Sequence, residues 1–555
     1  MTNASKRWGY AVWLALIAGF AVLHALNLRA DFPNHTMWIA DWAKYTDEGW
    51  YGDAAVRAHL FGNWYMAGDF NPAVAVPVWP FLEWVLFFFT GVTVAAARGL
   101  AVAMFFLNLL LSYTLLRTRG PRWMGLLAVT LMVTSPFLYC FGRLAILEPL
   151  LTLLTLAAMN LAVRLPGMRR PVWGAAGVGA LFTLMMLTKT NALFLLPAVG
   201  WAMVMPLSKS RKLAVRCASA AAGTFVAGYG FWMAMLADRG LIGDFRYYFD
   251  INHYAKPSEF YWPVVSFWWS FHGGLWIDRI LFPVAGVLAL GAAIAWMRTW
   301  MRTWGVADRR SRAGWGAWGR GLLGKSASGA PVFGASVLAV GGMVLFMTYQ
   351  DHPQPRYFAV AAVFCFMIVA QGAEALTIRV REDGSRSGFG LRGWGGIAIG
   401  LAVVTACVNG AQTVDYAAHP QYTFVNAADG LTHYIDTHPN GKRLLVSSSG
   451  DEITLVTQLP TLCDDFGTMD LSEKLDVYRP GWYADWNHLD AYELEDLHLY
   501  YSLEQVAAFP AFDDPERNLL VLYKLHPLPG GKVRDLGDEN LQIKLPDDSF
   551  DVEVK

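Results

Sequence analysis

The sequence predicts a mostly α-helical polytopic membrane protein, with about eleven transmembrane helices and a C-terminal soluble α/β domain. Three observations carry this. The 555-residue chain is 55% hydrophobic and only 16% charged, too apolar for an ordinary soluble enzyme. Several apolar runs approach the roughly 20 residues needed to cross a bilayer. From about Ala411 onward the composition changes: acids become frequent and alternating runs replace long apolar ones. The 24 tryptophans suit long membrane–water boundaries. Formal net charge is zero, so nothing global points to nucleic acid. The five cysteines are scattered without paired spacing and read as small core residues rather than a disulfide frame or zinc site.

The expected spans are Trp8–Leu26, Val94–Leu116, Trp123–Phe141, Glu148–Val163, Val172–Leu187, Ala192–Pro206, Leu213–Leu236, Ile280–Met297, Pro331–Tyr349, Phe358–Ala375 and Trp394–Gly410. Counted this way, the basic clusters fall on one side: Lys6/Arg7, Arg117 to Arg122, Arg164 to Arg170, Lys209 to Arg216, the Arg298–Lys325 loop and Arg379 to Arg386. The positive-inside rule makes that side the cytoplasm, with the N-terminus there and the C-terminal domain outside. The first span reads as a retained helix, since no small-residue cleavage pattern follows it.

One apolar run is left out of the spans. Residues 76–90 contain Pro77, Pro80 and Glu83, and counting them as a crossing would break the charge alternation. They read as an interfacial or re-entrant helix against the outer leaflet. The chain thus divides into a membrane module, residues 1–410, with a first outer loop at 27–75 and this juxtamembrane helix, and an extracytoplasmic domain, residues 411–555. Within the latter, Arg443–Ser447 and Asn518–Leu525 look like strands, and Asp451–Leu459 and Ser502–Phe509 like helices. The run RPGWYADWNHLD, Arg479–Asp490, alternates aromatic and polar residues as carbohydrate-contacting surfaces do, or forms a packed loop.

Ionisable groups at the outer face are the functional candidates, because they are expensive near a bilayer. Asp47 and Glu48 in YTDEGWYGD sit among aromatics that favour holding a proton, as general-base work requires. The alternative is a solvated helix start capped by Thr46. In GRLAILEP, Arg143 and Glu148 flank a short turn, and the alternative there is a mutual ion pair. Lys189 in TKTN, and His352, Arg356 and Tyr357 in DHPQPRY, lie on the side where cations are disfavoured. With Arg143 they suggest a phosphate site, Arg holding the anion and Tyr adding a hydroxyl.

These residues, in this order, resemble the membrane glycosyltransferases of the GT-C superfamily, in particular the bacterial family 39 branch of protein O-mannosyltransferase-like and aminoarabinose-transferase-like enzymes. The resemblance covers roughly residues 1–410. It rests on YTDEGWY, NPAVAVPVWPFLEWVLFFFTG, ARGLAVAMFFLNLLLSYTLLRTRG, SPFLYCFGRLAILEPLLTL, LTKTNALFLLP and QPRYF. It implies transfer of a sugar, with inversion, from a polyprenyl-phosphate carrier to a hydroxyl on a lipid, protein or polysaccharide acceptor, at the outer face of a bacterial inner membrane. Asp47 would be the base or acceptor-positioning acid, Glu48 its neighbour, and Glu148 an assistant to the acceptor or to a metal. Arg143, Lys189, Arg356 and Tyr357 would surround the phosphate. The chain departs from the pattern at Asn71, where many relatives carry Lys before the proline. A divalent metal is an open expectation, with no tight His/Asp cluster in the sequence to hold it. The competing reading is a transporter or flippase of polyprenyl-linked glycans, which would place polar residues near mid-bilayer and often shows paired halves.

Overall fold

The computed structural model describes residues 3–31, 43, 45–118, 120–251, 265, 268, 282–286, 330–349, 354–382, 389–464, 466–487, 489–511 and 518–529. His352, the Arg298–Lys325 loop and most of the expected span Ile280–Met297 lie outside them.

The membrane part is built from α1 (Asn3–His24), α2 (Asp47–Phe61), α3 (Val78–Thr90), α4 (Val94–Arg117), α5 (Arg122–Val133), α6 (Pro136–Phe141), α7 (Leu147–Arg164), α8 (Pro171–Met186), α9 (Leu196–Leu207), α10 (Arg211–Asp238), α11 (Ile242–Ile251), α12 (Ala330–Tyr349), α13 (Ala359–Glu382) and α14 (Phe389–Ala418). Among the described residues, seven helical segments are long and apolar enough to cross a membrane. The protein is an integral membrane protein. Three further apolar helices, α3, α5 and α8, are shorter. The expected span Trp123–Phe141 is divided, because Pro136 removes a backbone donor and Ser135 recaps the chain by accepting from the Leu138 N–H at 3.3 Å.

The spanning helices are stitched by buried amides as well as by apolar packing. Asn108 Nδ2 donates to the Pro149 carbonyl at 3.0 Å, and Asn160 on α7 donates to Leu111 O and accepts from Thr114 on α4, both at 3.0 Å. Such hydrogen bonds are worth about 0.6 to 2 kcal/mol each where lipid offers no alternative partner. Helices α8 and α10 approach so closely that a Cβ at Gly179 would stand 2.1 Å from the Ala221 carbonyl oxygen.

Helix α3 has thirteen residues and spans only about 20 Å, short of a bilayer core. Trp79, Glu83 and Phe87 are buried on one side, while Phe81, Phe88 and Phe89 are exposed on the other. The buried Glu83 faces Gly52 of α2, where any β-carbon would meet its carboxylate at 2.4 Å.

After α14 come α15 (Thr423–Thr437), β1 (Leu445–Val446), α16 (Gly450–Thr457), β2 (Thr461–Leu462), α17 (Leu471–Tyr478), β3 (Trp482–Trp486), α18 (Ala491–Tyr500), β4 (Tyr501–Pro510) and β5 (Leu519–Pro527). They form one sheet of order β2-β1-β3-β5-β4, with β1 parallel to β2 and β3, and β5 antiparallel to β3 and β4. Residues 502–509, expected as a helix, are instead strand β4. Cross-strand pairing with β5, over a bulge at Gln505/Ala507, outweighs the local pattern. The aromatic run at 479–490 is also not a sugar-facing surface. Its centre is β3, with Trp482 and Tyr483 fully buried in the cores on opposite faces of the sheet.

This C-terminal unit is fastened to the segment between α1 and α3 through α16, which lies across α2. Glu452 Oε2 accepts from the Gly49 N–H at 2.7 Å, and a Cβ at Gly49 would fall 2.2 Å from both Asp451 C and Glu452 N. Beside it, buried Arg57 pairs with Asp53 at 2.6 Å, Asp69 at 2.7 Å and Asp451 at 3.1 Å. Lys474 of α17 reaches Asp69 at 3.3 Å and the Cys463 and Phe466 carbonyls, both at 2.6 Å. Gly49→Ala forces backbone apart at this crossing. We expect it to cost about 1 to 3 kcal/mol and to increase protease cleavage around residue 450, read by limited proteolysis beside wild type.

Candidate functional site

Helix α2 begins at Asp47, and both acids of the DE pair are buried, Asp47 at 2% exposure and Glu48 at 0%. The solvated helix start is therefore not what the fold builds. Thr46 makes no capping bond; its hydroxyl donates to Asp47 Oδ1 at 3.3 Å. The Asp47 carboxylate pairs with Arg356 at 2.7 Å. Arg356 enters from the 3-10 turn Pro355–Phe358, whose opening proline fixes the backbone angle before α13.

Glu48 points to a different set of partners. It takes a two-pronged bond from Arg98 of α4 at 2.8 and 2.6 Å and accepts from the Ala145 N–H at 2.7 Å. Arg98 also donates to the Leu28 and Ala30 carbonyls, at 3.2 and 2.7 Å. The adjacent acids are thus differently employed: Asp47 pairs with the Arg356 guanidinium, while Glu48 ties α2, α4 and the turn before α7 together.

Glu148, at the start of α7, pairs with Lys189, which precedes the 3-10 turn Thr190–Leu195. The second carboxylate oxygen of Glu148 is buried and has no hydrogen-bond partner among the described residues. Lys189 Nζ stands 5.0 Å from the centre of the Tyr357 ring, and the Arg356 guanidinium 5.1 Å from the same centre. Tyr357 is thus bracketed by two cations, each with its own carboxylate. One run of side chains leads from Glu148 through Lys189, Tyr357 and Arg356 to Asp47, and draws on four separate parts of the chain.

Arg143 is not the partner of Glu148. It donates to the Leu26 and Asn27 carbonyls at 2.7 and 2.8 Å and to the Tyr139 hydroxyl, with its guanidinium 4.5 Å from that ring's centre. It is a buried cation whose hydrogen-bond partners here are all neutral.

Two further residues join the run. Tyr51, one turn after Asp47 on α2, feels the charges of Asp47, Arg356 and Tyr357, and Tyr248 on α11 lies within electrostatic reach of Tyr51. Burial, then the charge of Asp47, raises the Tyr51 phenol well above its ordinary value, so it stays a proton donor. The i, i+4 spacing from Asp47 to Tyr51 was the available sequence signal. For Arg98 it was a lone arginine in an apolar span, which demands a partner. In this run each acid is neutralised by a cation of the chain itself, so the donor set does not fit a divalent metal there.

No protein-family profile matches the chain, and no curated protein matches it in sequence. Among solved structures, it is similar to ArnT from Cupriavidus metallidurans in the apo state, at 15% identity and a TM-score of 0.48, over 94% of this chain and 98% of that one. The same enzyme bound to undecaprenyl phosphate gives 14% identity and a TM-score of 0.46, over 92% and 98%. The archaeal oligosaccharyltransferase AglB from Archaeoglobus fulgidus, in complex with an inhibitory peptide and a dolichol-phosphate, gives 11% and 0.47, over 94% and 74%. These are distant likenesses, and the chemistry below is read from this chain's own residues.

Proposed function

We propose that the protein is an inverting glycosyltransferase that moves a sugar from a polyprenyl-phosphate carrier to a hydroxyl acceptor at the outer face of a bacterial inner membrane. The observation that carries this is the bracketing of Tyr357 by Lys189 and Arg356, beside a buried Asp47 that Arg356 holds. A phosphate entering between the cations competes with Asp47 for Arg356, which releases the carboxylate as a base. The acceptor oxygen then attacks the anomeric carbon as the bond from that carbon to the phosphate oxygen breaks. The electron pair goes to the phosphate, and the acceptor proton goes to Asp47. Charge grows on the phosphate as the bond breaks, so fixed cations stabilise the transition state more than the ground state. The unpartnered oxygen of Glu148 supplies an acceptor for a substrate hydroxyl. Arg143, without an acid of its own, is assigned to the carrier's anionic group, and Glu48 to holding α2 in place.

The reading is tested by reconstituting the purified protein with polyprenyl-phosphate sugars and following consumption of the donor. Lys189→Met should lower turnover by about 10²- to 10³-fold, the usual effect of removing one preorganised charge donor. Unchanged turnover would reject the assignment. Movement of labelled lipid between leaflets without donor consumption would establish the transporter reading instead.

A further inference from the structure

The face of the C-terminal sheet covered by α18 gathers three carboxylates that the proposed reaction does not use. Asp464 lies two residues beyond β2, Asp485 is the fourth residue of β3, and Glu493 is in the first turn of α18. One carboxylate oxygen from each lies within 4.8 Å of the other two. Because β1, β2 and β3 run parallel, Asp464 and Asp485 stand at one carboxyl-terminal edge, where open α/β sheets characteristically hold ligands. Glu493 comes one helical turn before Leu497, which is buried in the core on this face, so the helix presents both in the same direction.

A second observation at the same place points to a ligand. Tyr523 is the register partner of Tyr483 across β3 and β5, and both belong to the core under α18. Tyr483 donates to Asp464 Oδ2 at 2.9 Å. Tyr523 is 4% exposed, and its hydroxyl has no hydrogen-bond partner among the described residues. Asp485 lies two residues from Tyr483 on β3, so the Tyr523 side chain, paired across from Tyr483, stands on the same face of the sheet as Asp485. A buried hydroxyl without a partner costs stability, and beside converging carboxylates it is satisfied by a bound ion or that ion's water. Oxygens that share one calcium ion at about 2.3 to 2.6 Å lie no more than about 5 Å apart, the spacing of this trio. Only oxygen donors are offered, which suits a hard cation rather than zinc or copper.

We propose that Asp464, Asp485 and Glu493 bind a calcium ion, with the Tyr523 hydroxyl facing its coordination sphere. The ion would pin the segment after β2 to β3 and to the start of α18. That segment continues to Phe466, whose ring packs edge-on to Trp50 of α2 at 4.9 Å, three residues from Asp47. The site is independent of the glycosyltransferase reading.

The test uses the full chain in detergent, stripped with EDTA and then given calcium or magnesium chloride alone, with thermal unfolding and calorimetric titration as readouts. Calcium should raise the melting temperature by several degrees, and magnesium at equal concentration by much less. Asp485→Asn and Glu493→Gln should each weaken calcium binding at least tenfold, whereas Asp436→Asn, a surface acid paired with Arg443, should leave it unchanged. Should a variant fail to fold, terbium on wild type keeps the test open: calcium must displace its tyrosine-sensitised emission. Absence of calcium binding up to about 10 mM, some tenfold above the weak end of extracellular sites, would overturn the proposal. So would binding that survives in both variants.

Discussion

Replacing Asp47 by Asn is expected to lower turnover of a polyprenyl-phosphate sugar by about 10²- to 10⁴-fold, the range typical for loss of a general base. Asparagine keeps the size of the side chain and an oxygen that Arg356 can still donate to, so the junction between α2 and the Pro355–Phe358 turn should survive. What is lost is the ability to take a proton and the competition with phosphate for Arg356. Donor binding should therefore hold or tighten while kcat falls. A fall in donor affinity with kcat unchanged would place Asp47 in binding rather than proton transfer. Glu48→Gln provides the contrast, since its partners are Arg98 and the Ala145 N–H. Its cost should appear as lost stability and not as a selective loss of the chemical step.

The second large effect is expected at Arg57. Arg57→Met leaves Asp53, Asp69 and Asp451 buried with Lys474 as the only cation paired to the group among the described residues, and breaking such a pair costs about 3 to 5 kcal/mol. Thermal unfolding of the full chain should show it, with the C-terminal unit becoming protease-sensitive first. The same cluster predicts a pH dependence. Burial, opposed by Arg57 and reinforced by Asp69, pushes Asp53 from 3.8 up to about 6. Asp451, paired with the same Arg57, is also raised, by burial and then by the charge of Asp53. Two buried carboxyls sharing one cation favour keeping a proton. The folded state thus retains a proton that the unfolded chain releases, so this contribution is fully present below pH 3.8 and is lost as pH rises through about 6. Asp53→Asn should flatten that slope. A slope unchanged in the variant would rule out this pair as its source.

The membrane fold was legible because bilayer crossing leaves long apolar runs, and α4, α7 and α10 begin within three residues of their expected starts. Span 123–141 reads as one apolar run, and only the Ser135-Pro136 pair marks the break. Of the candidate site, Asp47, Glu148, Lys189, Arg356 and Tyr357, which the fold brings together, stood out because charge beside apolar spans is costly and therefore conspicuous. Who pairs with whom was not. Arg143 and Glu148 are five residues apart yet unpaired, while Glu148 finds Lys189 forty-one positions away. Neighbouring Asp47 and Glu48 look equivalent in sequence, but successive helical residues point about 100° apart and meet different helices. The C-terminal partners of α2 were invisible for the same reason: Asp451 and Glu452 open a helix with ordinary first-turn acids, and only tertiary packing turns them inward. Strand β4 was misread because half-buried strands with a bulge lose their alternation.

The bond from Arg57 to Asp451 joins positions 394 residues apart. At typical synthesis rates of about 5 to 20 residues per second, α2 leaves the ribosome some 20 to 80 s before the helix that covers it exists. During that interval Asp53, Arg57 and Asp69 lack their C-terminal partners, with the Gly49 crossing open. The loop that carries Asp47 is therefore finished last, although it is among the first parts made. Nascent chains should be most vulnerable to proteases at residues 47–75, and a chain terminated before Gly450 should never lose that vulnerability.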